Sequence, residues 1–187
     1  MKPLFSSRDL AVTQGIMAAF LFLLIPLFNL FGLSNHKLNS ILHGVGATLT
    51  VLLSCYVLHA LYPFLRGKEG AARKLEFLLW IANILILLTI VFGNWLYMGY
   101  RAPDGAQQWF LYNAPLGHLV MMEFKEFASL FPLPLGMAAS FLLWRFRNYF
   151  DKVHGASSVI ALLITLMWIF LLIGFVFGLG ISKLKIV

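Results

Sequence analysis

Four titratable side chains fall within nine residues of one apolar run: His118, Glu123, Lys125 and Glu126, in the stretch GHLVMMEFKEF at 117–127. Ionisable groups inside such a run are expensive and by default mark an ion, proton or substrate route. On a helix advancing about 100° per residue, Lys125 returns to within about 20° of His118, while Glu126 and Glu123 diverge by about 80° and 140°. The charges therefore fan around the helix and form no single stripe. Three uses compete for Glu123, Lys125 and Glu126: proton exchange with a quinol, pairing of the lysine with a propionate or a glutamate, and a purely structural interhelical ion pair.

Histidine is the other chemically informative residue type, at positions 36, 43, 59, 118 and 154. His43 is followed by GVGA, and the small side chains of Gly44 and Gly46 would let a flat group lie close to the backbone. His43 and His59 are 16 residues apart, about 160° around a helix, so they do not share a face. His59 would need a partner from another segment, and His154 is the candidate. His36 reads as a solvated loop residue. A hard-metal site drawn from His36, His43, His118 and Glu123 has no H-E-x-x-H motif behind it. The single cysteine, Cys55, excludes an intrachain disulfide, a four-cysteine cluster and covalent C-x-x-C-H haem attachment.

The elements that must position these residues are membrane helices. The chain has 187 residues, is 61% hydrophobic and 11% charged, and has a mean hydropathy of +0.88. A crossing of the hydrocarbon core takes about 20 apolar residues. Five runs of sufficient length are expected to be spans: 10–33, 40–65, 76–99, 116–144 and 157–181. The fold class is thus an all-α polytopic bundle of one domain, 1–187, because lipid leaves an open backbone without partners. No small-residue cleavage site follows the first run, so it is read as an uncleaved span. Pro132 and Pro134 should kink the fourth span, and Gly174 with Gly178 would admit a close helix neighbour in the fifth.

Lysine and arginine set the orientation. Lys2, Arg8, Arg66, Lys68, Arg73, Lys74, Arg145, Arg147 and Lys152 gather on one side, against Lys37, Arg101, Lys183 and Lys185 on the other. The N-terminus is therefore expected inside and the C-terminus outside, in a bacterial inner membrane. The net charge of +7 reads as a topology signal, and nucleic acid is not an expected partner.

In this topology His43 and His118 lie at nearly equal depth on two spans running in the same direction. Two such imidazoles could bind the two faces of one iron porphyrin, and His43 and His118 are the expected metal ligands. The placement of His43, His118 and the glycines after His43 resembles that of small integral-membrane b-type cytochromes. That resemblance implies a haem b held by His43 and His118 near the outer face, and a second at His59 and His154. It also implies a subunit of a larger complex, or a homo-oligomer, relaying electrons between a quinone pool and a redox partner. The competing expectation is a non-haem protein, a proton-coupled transporter or accessory subunit, whose buried Glu/Lys cluster lines a cavity.

Overall fold

The structure is a computed structural model describing residues 36–146, Phe150 and 155–185, together with Arg8, Ala11, Val12, Gly15, Ile16, Ala19 and Leu23. Those seven residues are helical, but most of the expected first span, 10–33, lies outside the described residues. Among the described residues there is no strand. The helices are α1 (His36–Leu65), α2 (Ala71–Tyr100), α3 (Ala106–Asn113), α4 (Glu123–Ser129), α5 (Pro132–Phe146) and α6 (Ala156–Leu184), with a π-helical turn at Gly117–Met122 leading into α4.

Among the described residues, four stretches are long and apolar enough to cross a membrane: α1, α2, the run Gly117–Phe146 and α6. The chain is an integral-membrane helical bundle. The helices outrun their apolar cores at several ends, and His36, where a loop was expected, is already helical.

Neighbouring helices close a ring in which α1 packs on α2, α2 on α5, α5 on α6, and α6 on α1. Short connections make these neighbours antiparallel. Gly67 and Gly70 adopt left-handed backbone (φ 65° and 73°) and turn α1 into α2 within five residues. Core residues recur at alternating steps of four and three: Leu75, Leu79, Ala82 and Ile86 on α2, and Ile160, Ile164 and Met167 on α6. Such spacing keeps one seam facing the partner helices along the bundle. One polar pair interrupts the core. Asn83 Nδ2 donates to Ser140 Oγ at 2.9 Å, tying α2 to α5.

The third crossing is broken as expected. Helix α4 stops at Ser129, and Pro132 opens α5, where a missing N–H costs nothing. The two halves have different neighbours. Helix α5 sits in the ring against α2 and α6, whereas α4 and the π-helical turn lean on α6. Glycines on α6 permit that approach. A Cβ on Gly174 would lie 3.0 Å from Ser129 Oγ, one on Gly178 3.4 Å from Lys125 Cε, and one on Gly180 2.6 Å from Met121 Cε.

A second, smaller apolar cluster closes the Tyr100 end, built from Tyr100, Phe110, Met122 and Ile181. Its keystone is Phe110, fully buried on α3 and packed against Gly117.

Candidate functional site

The sequence stretch singled out for its charges begins in the π-helical turn. Its i→i+5 pattern is frequent at functional positions and shifts the angular phase of every residue that follows. His118, in its second residue, is 4% exposed. The Tyr100 hydroxyl lies 3.0 Å from Nδ1, and the Gln107 amide nitrogen lies 3.0 Å from Nε2. Glu123 Oε1 is 3.7 Å from the same Nε2 and 3.4 Å from an Arg101 guanidinium nitrogen. Both imidazole nitrogens are therefore engaged by the protein. The Gln107 amide nitrogen can only donate, so as placed Nε2 accepts from it and Nδ1–H donates to the Tyr100 hydroxyl.

His43 is held differently. Its Nδ1 donates to the Thr89 carbonyl at 3.0 Å, which leaves Nε2 with its lone pair. The ring lies on Gly93, where a Cβ would come within 2.7 Å of Cε1. Gly46 does the same work one turn along, against Thr89, whereas Gly44 has no protein atom within 4 Å of the place a Cβ would take. Thr50 and Thr89 complete this seam with hydroxyls 3.3 Å apart. His36 is also on this face: it is exposed to solvent and packs beside Gly99.

These contacts place the two candidate ligands at different levels. His43 lies opposite Gly93 and His118 beside Tyr100, and seven residues of α2 between those positions correspond to about 10 Å. Equal depth was expected from residue counts. The difference arises because the third crossing opens level with the last residue of α2, while α1 is already helical four residues before its apolar run. At His43's level the third crossing instead supplies Lys125, seven residues beyond His118.

Lys125 runs over Gly178 and has Glu126 and His43 as its electrostatic neighbours. Glu126 lies beside Tyr97. Glu126 Oε1 and the Tyr97 hydroxyl are both buried and within hydrogen-bonding reach of each other, and Arg101 also reaches Tyr97. Tyr97 stacks on Tyr100 at 5.8 Å with an interplanar angle of 12°, and the Arg101 guanidinium covers its other side at 4.7 Å. Glu123 turns outward to Arg101, Lys125 turns to α6 and Glu126 turns to Tyr97, the fan expected from the sequence. Together they form a polar column. It starts at the half-exposed Arg101–Glu123 pair, passes His118, Tyr100, Tyr97 and Glu126, and ends at Lys125 and His43.

The remaining candidates lie elsewhere. His59 is exposed near the opposite end of α1, and His154 lies outside the described residues. Among the described residues, no group of three or more His, Cys, Asp or Glu side chains could hold a metal ion. Tested against a haem, His43 could hold the iron through Nε2, with its ring fixed by the carbonyl bond and no hydrogen-bond partner on Nε2 among the described residues. His118 as placed does not fit, because ligation would displace Gln107. Tyr100, Arg101, Gln107, Thr89 and Gly93 took no part in the expected site. The only sequence signal for them is that Tyr100-Arg101 and Gln107 flank the turn that returns the chain to His118.

Comparison of the chain with protein-family models, with curated proteins and with solved structures finds no match.

Proposed function

We propose that this chain is a proton-relay protein of the membrane, moving protons between the aqueous phase at its Tyr100 end and the Lys125–His43 level inside the bundle. One observation carries this reading: the Glu126 carboxyl and the Tyr97 hydroxyl are buried side by side, within hydrogen-bonding reach of each other and next to Lys125. Ionisable groups gathered at that depth by default mark a proton or ion route. Lys125 and Glu126 are not in direct ion-pair contact among the described residues, so a proton passes between the Glu126 carboxyl and the Lys125 amine nitrogen through an intervening water, with no change of oxidation state. In the orientation set by lysine and arginine, the column opens to the outer face of a bacterial inner membrane. The chain then serves a larger redox or transport complex.

The test is a pH jump applied to the detergent-purified chain, with the protonated-carboxyl C=O stretch followed by time-resolved infrared spectroscopy. A carboxyl band that follows bulk pH is expected, removed by Glu126→Gln, altered by Lys125→Met and kept in His59→Ala. A carboxyl band that does not respond to bulk pH, or a response unchanged in Glu126→Gln, would overturn the reading.

His43 supports a second reading, a haem b-binding electron carrier linked to a quinone. Its Nδ1 is tied to a carbonyl and, among the described residues, its Nε2 has no hydrogen-bond partner, as in an axial ligand. Bound there, a haem would supply one-electron transfer, and Lys125 is the cation placed to meet a propionate. The visible spectrum of protein expressed with ample haem decides it. A sharp reduced α-band absent from His43→Ala supports the reading, and a colourless preparation ends it.

A further inference from the structure

The end of the bundle opposite Tyr100 holds a pocket of about 440 Å³ at the α1–α2 turn. Tyr56, His59 and Pro63 wall it from the last turns of α1, Lys68 and Glu69 from the connection, and Lys74 from the first turn of α2. The geometry points to a binding pocket for a phosphate-bearing anion, of the kind an anionic phospholipid headgroup presents.

Charge and position both favour this ligand. Lys68 and Lys74 converge on the pocket against the single carboxylate of Glu69, and Arg66 and Arg73 flank it. Among the described residues, neither lysine makes an ion pair with a carboxylate. Lys74 is instead parked over the Tyr56 ring, with Nζ 5.5 Å from the centroid. That arrangement leaves all three ammonium donors able to turn to an incoming oxyanion. His59 adds a ring nitrogen from the helix wall. The α1 carbonyls that would repel an anion are already taken, because Arg66 N donates to Tyr62 O at 3.2 Å and Lys68 N to Pro63 O at 3.1 Å.

The pocket also straddles two environments. Its lysines sit at the polar turn, while Tyr56 lies nine residues before the end of α1, about 13 Å toward the apolar zone. An amphiphile with a phosphate head and an acyl tail matches that division, and basic pockets between membrane helices are known to take such headgroups.

Native mass spectrometry of the full chain in detergent, with equal amounts of phosphatidylglycerol and phosphatidylcholine, tests the inference. Phosphatidylglycerol should be retained in preference. That preference should fall about fivefold for each lysine removed in Lys68→Ala and Lys68→Ala/Lys74→Ala. Lys183→Ala/Lys185→Ala, which removes two charges at the other end, should leave it intact. Inorganic phosphate forms the second arm: if it binds and depends on Lys68 while the two lipids are retained equally, the ligand is a free phosphate. Helical content by circular dichroism confirms that each variant is folded. The inference is overturned if the two lipids are retained equally and phosphate does not bind. It is also overturned if a preference survives the Lys68/Lys74 changes, or falls equally in the Lys183/Lys185 control.

Discussion

Two chemically identical changes, Gly93→Ala and Gly44→Ala, should move stability in opposite directions. At Gly93 the new methyl would stand 2.7 Å from His43 Cε1 and 2.8 Å from Nδ1. The imidazole cannot yield without breaking its 3.0 Å bond to Thr89, because the same ring edge makes both contacts. Overpacking costs about 1–3 kcal/mol, and the lost hydrogen bond adds about 1 kcal/mol. Alanine returns about 0.5–1 kcal/mol of helix preference over glycine. The net for Gly93→Ala is a loss of about 1–3 kcal/mol. Gly44 has open space around it, so Gly44→Ala keeps only the gain, about 0.5–1 kcal/mol. Reversible unfolding by titrating dodecyl sulfate into maltoside micelles, followed by far-UV circular dichroism, measures both. A cycle with His43→Ala assigns the cause, since removing the ring should suppress the Gly93→Ala penalty and give a coupling of about 1 kcal/mol or more. If Gly93→Ala proves as stable as Gly44→Ala, the ring does not lie on Gly93 and the placement of His43 is refuted.

Further expectations concern the other polar contacts. Tyr100→Phe removes the hydroxyl at Nδ1 of a nearly buried His118 and should cost about 1–3 kcal/mol in the same titration, with Gln107→Ala weakening the same ring from its other side. Ser140→Ala strands the Asn83 amide in the core and should also cost about 1–3 kcal/mol, while Ser140→Thr, which keeps a hydroxyl, should cost less. Arg101→Gln breaks only a half-exposed pair, so its effect on stability should stay below about 1 kcal/mol, read from the same midpoint. The same change alters the mouth of the proposed relay, and the response of the Glu126 carboxyl band to a pH jump should slow even though the fold holds.

The membrane bundle was legible in the sequence because length and apolarity decide it. The runs 40–65, 76–99, 116–144 and 157–181 correspond to α1, α2, the broken third crossing and α6. Pro132 and Pro134 announced the break, and the Gly174–Gly178 pair announced a close neighbour that proves to be α4. Depth was not legible. Residue counting presumes ideal α-helix from a known start, and both presumptions failed: α1 is already helical at His36, and the third crossing opens with a π-helical turn. Those two departures move His43 and His118 apart by about 10 Å and bring Lys125 to the level of His43. The partners of His118 were equally hidden. Tyr100 and Gln107 meet it only after the chain has left the membrane, formed α3 and come back, and no periodic pattern encodes that return.

The interruption at Leu130–Phe131 has a structural consequence of its own. A continuous rod would transmit any rearrangement near Glu126 straight into Leu133, Ala139 and Leu143, where the bundle is densest. With the rod cut, the ionisable segment leans on the glycine face of α6 while the lower segment stays clamped between α2 and α6. The two halves thus have separate neighbours, and a substitution in the upper segment that keeps its contact with the α6 glycines should leave the α2–α5–α6 packing in place.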